Sequence, residues 1–285
     1  MDYAVPGRKT KSLGVVGQVI PWNFPLLMAA WKIAPALACG NTVVIKPAET
    51  TSLSILLLAQ ILQEAGLPDG VVNIVTGAGE TGAALVSHND INKVAFTGST
   101  EVGKLISRSI SKTDKKLTLE LGGKSAHIVF EDAAIDQAVE GVINGIFFNQ
   151  GHVCCAGSRL LLEESIAEMF VDKLKTRMNQ LRVGNPLDKN TDVGAINSKA
   201  EYAKIQELVK KGRTEGADFF ESNQEQMPDK GYFLKPCFFN NASSAFSLSR
   251  IEVFGPVLAI STFRTTQEAV LKANDTPYGL AAGLS

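Results

Sequence analysis

The chain has 285 residues, 45% of them hydrophobic and 20% charged, with a formal net charge of −1. That length holds two domains, or one large one, with a sizeable core, and the composition is globular, not disordered. The near-neutral balance gives no electrostatic case for a nucleic-acid or anionic-membrane partner. No apolar run is long enough to span a bilayer, and the opening "MDYAVPGRKT" lacks the apolar core of a signal peptide. Cys39, Cys154, Cys155 and Cys237 are too few and too scattered for a disulfide framework, which fits a reducing, cytoplasmic compartment. His88, His127 and His152 share no ligand spacing with them, so no metal site is expected.

In chain order, "LGVVGQVI" (13–20) reads as a buried strand and "PLLMAAWKIAPALACG" (25–40) as an apolar helix stopped by Gly40. "NTVVIKP" (41–47) is the next strand. "TTSLSILLLAQILQEAG" (50–66) is a helix with Thr50 or Thr51 as N-cap and Gly66 as terminator. Short β-rich runs follow at 71–75, 93–98 and 116–121, with helical segments between them. Such alternation of helices with continuous apolar strands predicts a parallel sheet covered on both faces, with right-handed crossovers. From residue 123 the pattern restarts: "AHIVF" (126–130), a helix at 134–147, the loop "FFNQGHVCCAGSR" (147–159), the strand "RLLLEE" (159–164) and a long charged helix. Two α/β domains are expected, 12–122 and 123–285, meeting near Leu121–Gly123. The chain stops inside the apolar run "YGLAAGLS", so it reads as part of something longer.

Two glycine-rich turns compete for a nucleotide. "GAGETG" (77–82) matches the G-x-G-x-x-G dinucleotide pattern, and "GSTEVGKL" (98–105) nearly matches a phosphate-cradling P-loop. The P-loop NTPase reading fails at Leu105, where a magnesium-binding hydroxyl belongs, and at Glu101, which sets negative charge where phosphates would sit. For "GAGETG" alone, a plain tight turn remains open. Two such turns at the carboxyl ends of parallel strands, each opening a helix whose N-terminus attracts phosphate, favour a dinucleotide. Cys154 and Cys155 pose a separate choice. Adjacent cysteines seldom bond to each other, because the short link cannot reach good disulfide geometry. One of them is therefore packing filler or a reactive thiol. Gly151 and Gly157 flank the pair and let the backbone turn so that a sulfur and an amide N–H point the same way. A Cys–His hydrolase dyad with His152 is the weaker alternative, since it leaves both glycine turns unexplained.

Six motifs decide between these readings: "IPWNFP" (20–25), "VVIKPAE" (43–49), "FTGSTEVG" (96–103), "LELGGKS" (119–125), "FFNQGHVCCAGSR" and "FGPV" (254–257). In this order they resemble the central part of the NAD(P)-dependent aldehyde dehydrogenase family, over essentially the whole chain. The resemblance implies a Rossmann-like parallel-sheet cofactor domain followed by a second α/β catalytic domain. It implies oxidation of a small-molecule aldehyde to a carboxylic acid with NAD⁺, or less well NADP⁺, through a cysteine thiohemiacetal and thioester. By matched position Cys154 is the nucleophile, Glu120 the general base and Asn23 the oxyanion-binding amide. Lys46 and Glu49 fall on the adenosine-ribose contacts; Gly79, Gly98, Ser99 and Gly103 fall on the pyrophosphate and adenine side. Glu252 and Phe254 match the nicotinamide-ribose end, and Ile20, Trp22 and Leu121 complete the implied cofactor set. The same resemblance implies that "GAGETG" is not a standard Rossmann fingerprint, and that the full-length protein is a homodimer or homotetramer. One departure is Ile251, which stands where the family has the first of an acidic pair. A relative that keeps the fold without the activity is the alternative reading.

Overall fold

The computed structural model describes residues 11–285; the opening decapeptide, read above for an apolar leader, lies outside the described residues. The chain divides into two compact units, one ending at Leu121 and the other running Gly122–Ser285.

The first unit is a run of strand–helix repeats: β1 Val15–Val19, α1 Pro25–Ala38, β2 Thr42–Lys46, α2 Leu53–Glu64, β3 Val72–Ile74, α3 Gly79–Ser87, β4 Lys93–Thr97, α4 Thr100–Ile110 and β5 Lys116–Glu120. Its sheet has the order β3-β2-β1-β4-β5, and every pairing is parallel. The strand period of two sorts the side chains onto two faces. On one face Val16, Val43 and Ile45 pack with Ala29, Ile33 and Ile55 of α1 and α2. On the other, Val94 and Phe96 pack with Val86, Ile106 and Ile110 of α3 and α4, with Val15 and Val19 joining from β1. The helices end as their glycines demand. Gly40 and Gly66 take left-handed φ values of 72° and 82°. Behind them the amides of Asn41 and Leu67 reach back to the Ala36 and Leu62 carbonyls, completing two Schellman motifs. One expectation is corrected. Neither Thr50 nor Thr51 caps α2: Glu49–Thr51 form a 3-10 turn, and Ser52 takes the N-cap position without a side-chain cap bond.

The second unit contains β6 Ala126–Val129, α5 Ile135–Phe147, β7 Arg159–Glu163, α6 Ala167–Met178, α7 Lys199–Thr214, β8 Asp218–Glu221, β9 Cys237–Asn240, α8 Ser247–Arg250, β10 Val257–Phe263, α9 Thr266–Asn274 and β11 Ala282–Leu284. Its sheet has the order β11-β6-β7-β10-β9-β8. Only the last pairing, β8 with β9, is antiparallel, an edge that alternation alone did not predict. Successive leucines of β7 split between the faces. Leu160 and Leu162 join the core under α5 and α6, while Leu161 joins Phe263 and Ala269 of α9. Among the described residues no helix is long and apolar enough to cross a membrane.

Candidate active site

In a sheet ordered 3-2-1-4-5 the chain reverses direction of travel between β1 and β4, and in open α/β sheets ligands bind at the carboxyl ends of the strands beside such a reversal. The sequence-predicted residues of the first unit sit at those ends. Ile20, just past β1, is in the core at 2% exposure, and Trp22 and Asn23 follow half-buried in the turn into α1. Phe24, not Asn23, is the N-cap of α1. Lys46 closes β2, buried at 4%, and its ammonium donates to the Pro47 carbonyl at 2.9 Å and lies 3.4 Å from Oε1 of exposed Glu49. Gly79 opens α3, with nothing within 4 Å of where a Cβ would stand. Ser99 caps α4, its hydroxyl accepting from the Val102 amide at 3.3 Å.

Two of the predicted glycines serve packing. A Cβ on Gly98 would stand 2.5 Å from the Phe96 ring, and one on Gly103 would stand 2.4 Å from the Leu121 side chain. Gly103 lies inside α4, which starts at Thr100. The long glycine loop that a P-loop needs before its helix is therefore absent here. "GAGETG" follows β3 at the sheet's edge, away from the reversal between β1 and β4. The groups at the carboxyl ends of these strands suit a dinucleotide: an N-terminal helix turn capped by Ser99, the open N-terminus of α3, and a buried lysine with a carboxylate beside it. Buried hydroxyls of Thr97 and Thr100 at the same strand end have no protein hydrogen-bond partner, leaving polar capacity for a ligand. Glu120 is the last residue of β5, exposed, in register with Thr97. Lys32 was not anticipated, although it is the only charged residue between Pro25 and Gly40. Burial lowers its pKa, with the Glu120 carboxylate pulling the other way.

In the second unit the cysteine loop is held by unusual backbone. Asn149 and Gln150 take φ values of 49° and 57°, and Gly151 follows at 74°. Three successive left-handed residues cost of order 1–2 kcal/mol for each that is not glycine, so the surroundings must impose them. The Gln150 side-chain oxygen accepts from the Gly194 amide at 3.1 Å. A Cβ on Gly151 would stand 2.1 Å from the Gly255 carbonyl oxygen. Phe254, next to it, is itself left-handed at φ 57°. Beyond the turn, Cys154 is half-buried and Cys155 exposed, both free thiols. Burial pushes the Cys154 thiol up in pKa, with the Cys155 thiol next and Glu252 adding to it. These surroundings alone do not give the depressed pKa that a reactive cysteine calls for.

Gly123 joins the thiol loop to the carboxylate. A Cβ there would lie 2.3 Å from the Cys154 carbonyl oxygen, so the loop rests directly on this glycine. From its amide, Gly123 donates to Glu252 Oε1 at 3.1 Å. Burial raises the Glu252 pKa, opposed first by that hydrogen bond and then by Lys204 and Lys124. Lys124, 1% exposed, is lowered to about 7 by burial and by Arg159, with Glu252 opposing. Arg159, where β7 begins, donates to three backbone carbonyls, of Lys124 at 2.8 Å, Lys272 at 2.8 Å and Ala273 at 2.7 Å. His152 is 2% exposed, and its Nδ1 is 2.8 Å from the Phe254 carbonyl. Burial holds its pKa down at about 4. Among the described residues no three or more His, Cys, Asp or Glu side chains gather as metal ligands would.

A parallel sheet of order 3-2-1-4-5, followed by a second α/β unit carrying a braced cysteine, defines the class as a two-unit α/β protein. The aldehyde dehydrogenase family model matches residues 7–285, and the chain belongs to that family. It is similar to retinal dehydrogenase 2 from Taeniopygia guttata, 52% identical over 274 residues that cover 95% of this chain and 53% of that protein. It is 49% identical to cytosolic aldehyde dehydrogenase 1 from Rattus norvegicus, over 97% of this chain and 55% of that protein. A solved Bacillus cereus aldehyde dehydrogenase in complex with NAD⁺ superposes with a TM-score of 0.94 at 44% identity, covering 97% of this chain and 56% of that one. The chain spans about half the length of the relatives it matches.

Proposed function

We propose that this chain carries the cofactor-binding and reacting groups of an NAD⁺-dependent oxidation of an aldehyde to a carboxylic acid. The observation that carries the reading is the arrangement about Gly123, which sets the Cys154 loop and the Glu252 carboxylate on one glycine. Residues 12–122 form the cofactor domain and 123–285 the catalytic domain. The Cys154 thiolate attacks the carbonyl carbon, and a C–S bond forms as the carbonyl π pair moves to oxygen. The Cys154 N–H and the Asn23 amide donate to that oxyanion; losing one such donor typically costs ~3–4 kcal/mol. NAD⁺, when bound, supplies the acceptor for the hydride that leaves the same carbon. Glu120 then takes a proton from water, which attacks the thioester and expels the Cys154 sulfur. Lys46 and Glu49 hold the adenosine ribose, the α3 and α4 N-termini with Gly79, Gly98, Ser99 and Gly103 face the phosphates and adenine, and Glu252 and Phe254 hold the nicotinamide ribose. Ile20, Trp22 and Leu121 shape the pocket. A homodimer or homotetramer in the cytoplasm fits the reading, the rat relative being cytosolic by name.

The likeness to a retinal dehydrogenase makes an apolar aldehyde the first substrate to try, beside aromatic and cationic ones. The test is Glu120→Gln. A burst of NADH followed by turnover slowed about 10²-fold or more is expected. A normal steady-state rate removes Glu120 from the role, and no NADH from any aldehyde removes the reaction.

A further inference from the structure

We propose that His152 is a positioning residue: its Nδ1–H, donated to the Phe254 carbonyl, ties the left-handed cysteine loop to the Glu252–Gly255 segment and so sets the Cys154 thiol. The proposal rests on Cys154 being the nucleophile, as read above. A carbonyl oxygen only accepts, so the nitrogen 2.8 Å away must carry the proton. Burial keeps the ring neutral, which makes this tautomer the lasting one. The two rings also pack, with centroids 5.5 Å apart. Every element of the tie is strained or crowded. Asn149 and Gln150 on one side and Phe254 on the other hold left-handed backbone, and Gly151 meets Gly255 with no room for a Cβ. Backbone of this kind persists only where its surroundings over-determine it, and the side-chain bond from His152 crosses between the two segments. Cys154 is two residues further on, and Glu252 two residues before Phe254. Moving either loop therefore displaces the thiol relative to the carboxylate that shares Gly123 with it.

The experiment is alkylation by iodoacetamide with each cysteine followed by peptide mass spectrometry, in the wild-type chain, His152→Leu and His152→Asn. Asparagine places an N–H donor where Nδ1 stands, and leucine fills space without one. Exposed Cys39 serves as the rate standard, and buried Cys237 reports global opening. In His152→Leu the Cys154 rate should rise about tenfold while Cys237 stays protected, and His152→Asn should stay within about twofold of wild type. An unchanged or slower Cys154 in His152→Leu, or an Asn variant that behaves like Leu, overturns the proposal. Where Leu also releases Cys237, His152→Gln decides, its amide being one bond too long for the Phe254 carbonyl. It should then free Cys154 and keep Cys237 protected, and a Gln variant indistinguishable from Asn overturns the tie. Repeating the series with NAD⁺ separates this from the functional reading. NAD⁺ should alter the Cys154 rate in wild type and His152→Asn and lose that effect in His152→Leu; an effect kept at wild-type size in His152→Leu overturns the tie. No effect of NAD⁺ on the wild-type thiol overturns the cofactor reading and leaves the cofactor-free His152 comparison standing.

Discussion

The two units place their chemistry by opposite means. In the first, the predicted residues stand where parallel strands end, and ordinary β-α-β topology brings those ends together. In the second, the cysteine stands in a loop leading into β7, and nothing about strand order puts it there. It is held by left-handed residues, by glycines pressed against carbonyls and by a histidine reaching another segment. The first arrangement should tolerate local change, because the sheet carries the geometry. The second should not, because each contact holds up the next.

The largest expected effect separates the two cysteines. Cys154→Ala should lower kcat by about 10⁴-fold or more, while Cys155→Ala stays within about tenfold, measured as NADH formation. The reverse outcome would shift the register of the motif by one. The next contrast sets a glycine from each unit side by side. Gly151→Ala, with its φ of 74° and a Cβ 2.1 Å from the Gly255 carbonyl oxygen, should cost about 3–5 kcal/mol in urea unfolding. Gly79→Ala should change stability by no more than about 1 kcal/mol. Equal costs would dissolve the contrast between the units.

His152 sharpens it through pH. Its folded pKa of about 4 lies below that of an unfolded histidine, so the unfolded chain gains a proton first as pH falls. The stability held by the neutral ring is complete above about pH 6.5 and is lost as pH falls toward about 4, a loss of about 3 kcal/mol. His152→Asn should lack that part of the acid slope when unfolding is followed across the range, and parallel curves would refute it. The smallest effect belongs to the first unit. Glu49 beside Lys46 should favour NAD⁺ over NADP⁺ by about 10–100-fold in kcat/KM, or roughly 1.4–2.8 kcal/mol. Glu49→Gln should narrow the gap by about 1 kcal/mol, mainly by improving NADP⁺; equal use of the two cofactors by the unmutated protein would show that Glu49 does not read the ribose.

Legibility in the sequence follows the same division. The strands and helices of the first unit could be read from apolar runs and terminating glycines, because those signals are local to each element. The misplaced N-cap at Thr50 or Thr51 came from two hydroxyl residues preceding the capping Ser52, with a 3-10 turn in between. In the second unit the doublet of cysteines and its glycines was visible as a turn. Left-handed backbone at Asn149 and Gln150 was not, nor was the burial of His152, because their causes lie at Gly194, Phe254 and Gly255. The half-buried Lys32 and the fully buried Lys124 carried no sequence signal, because what lowers their pKa is packing. The antiparallel β8 escaped for a similar reason, since an edge strand's direction depends on its partner β9.

The distance between His152 and Phe254 along the chain, 102 residues, also bears on how this protein is made. Sheet pairing in the first unit is finished by residues up to Glu120, whereas the second closes only when β10 and β11 have reached β7 and β6. A chain synthesised from its amino end at about 5–20 residues per second therefore completes the cysteine loop several seconds before the segment that braces it exists. Through that interval Cys154 is an unbraced thiol on a growing chain, so its survival depends on a reducing environment during synthesis.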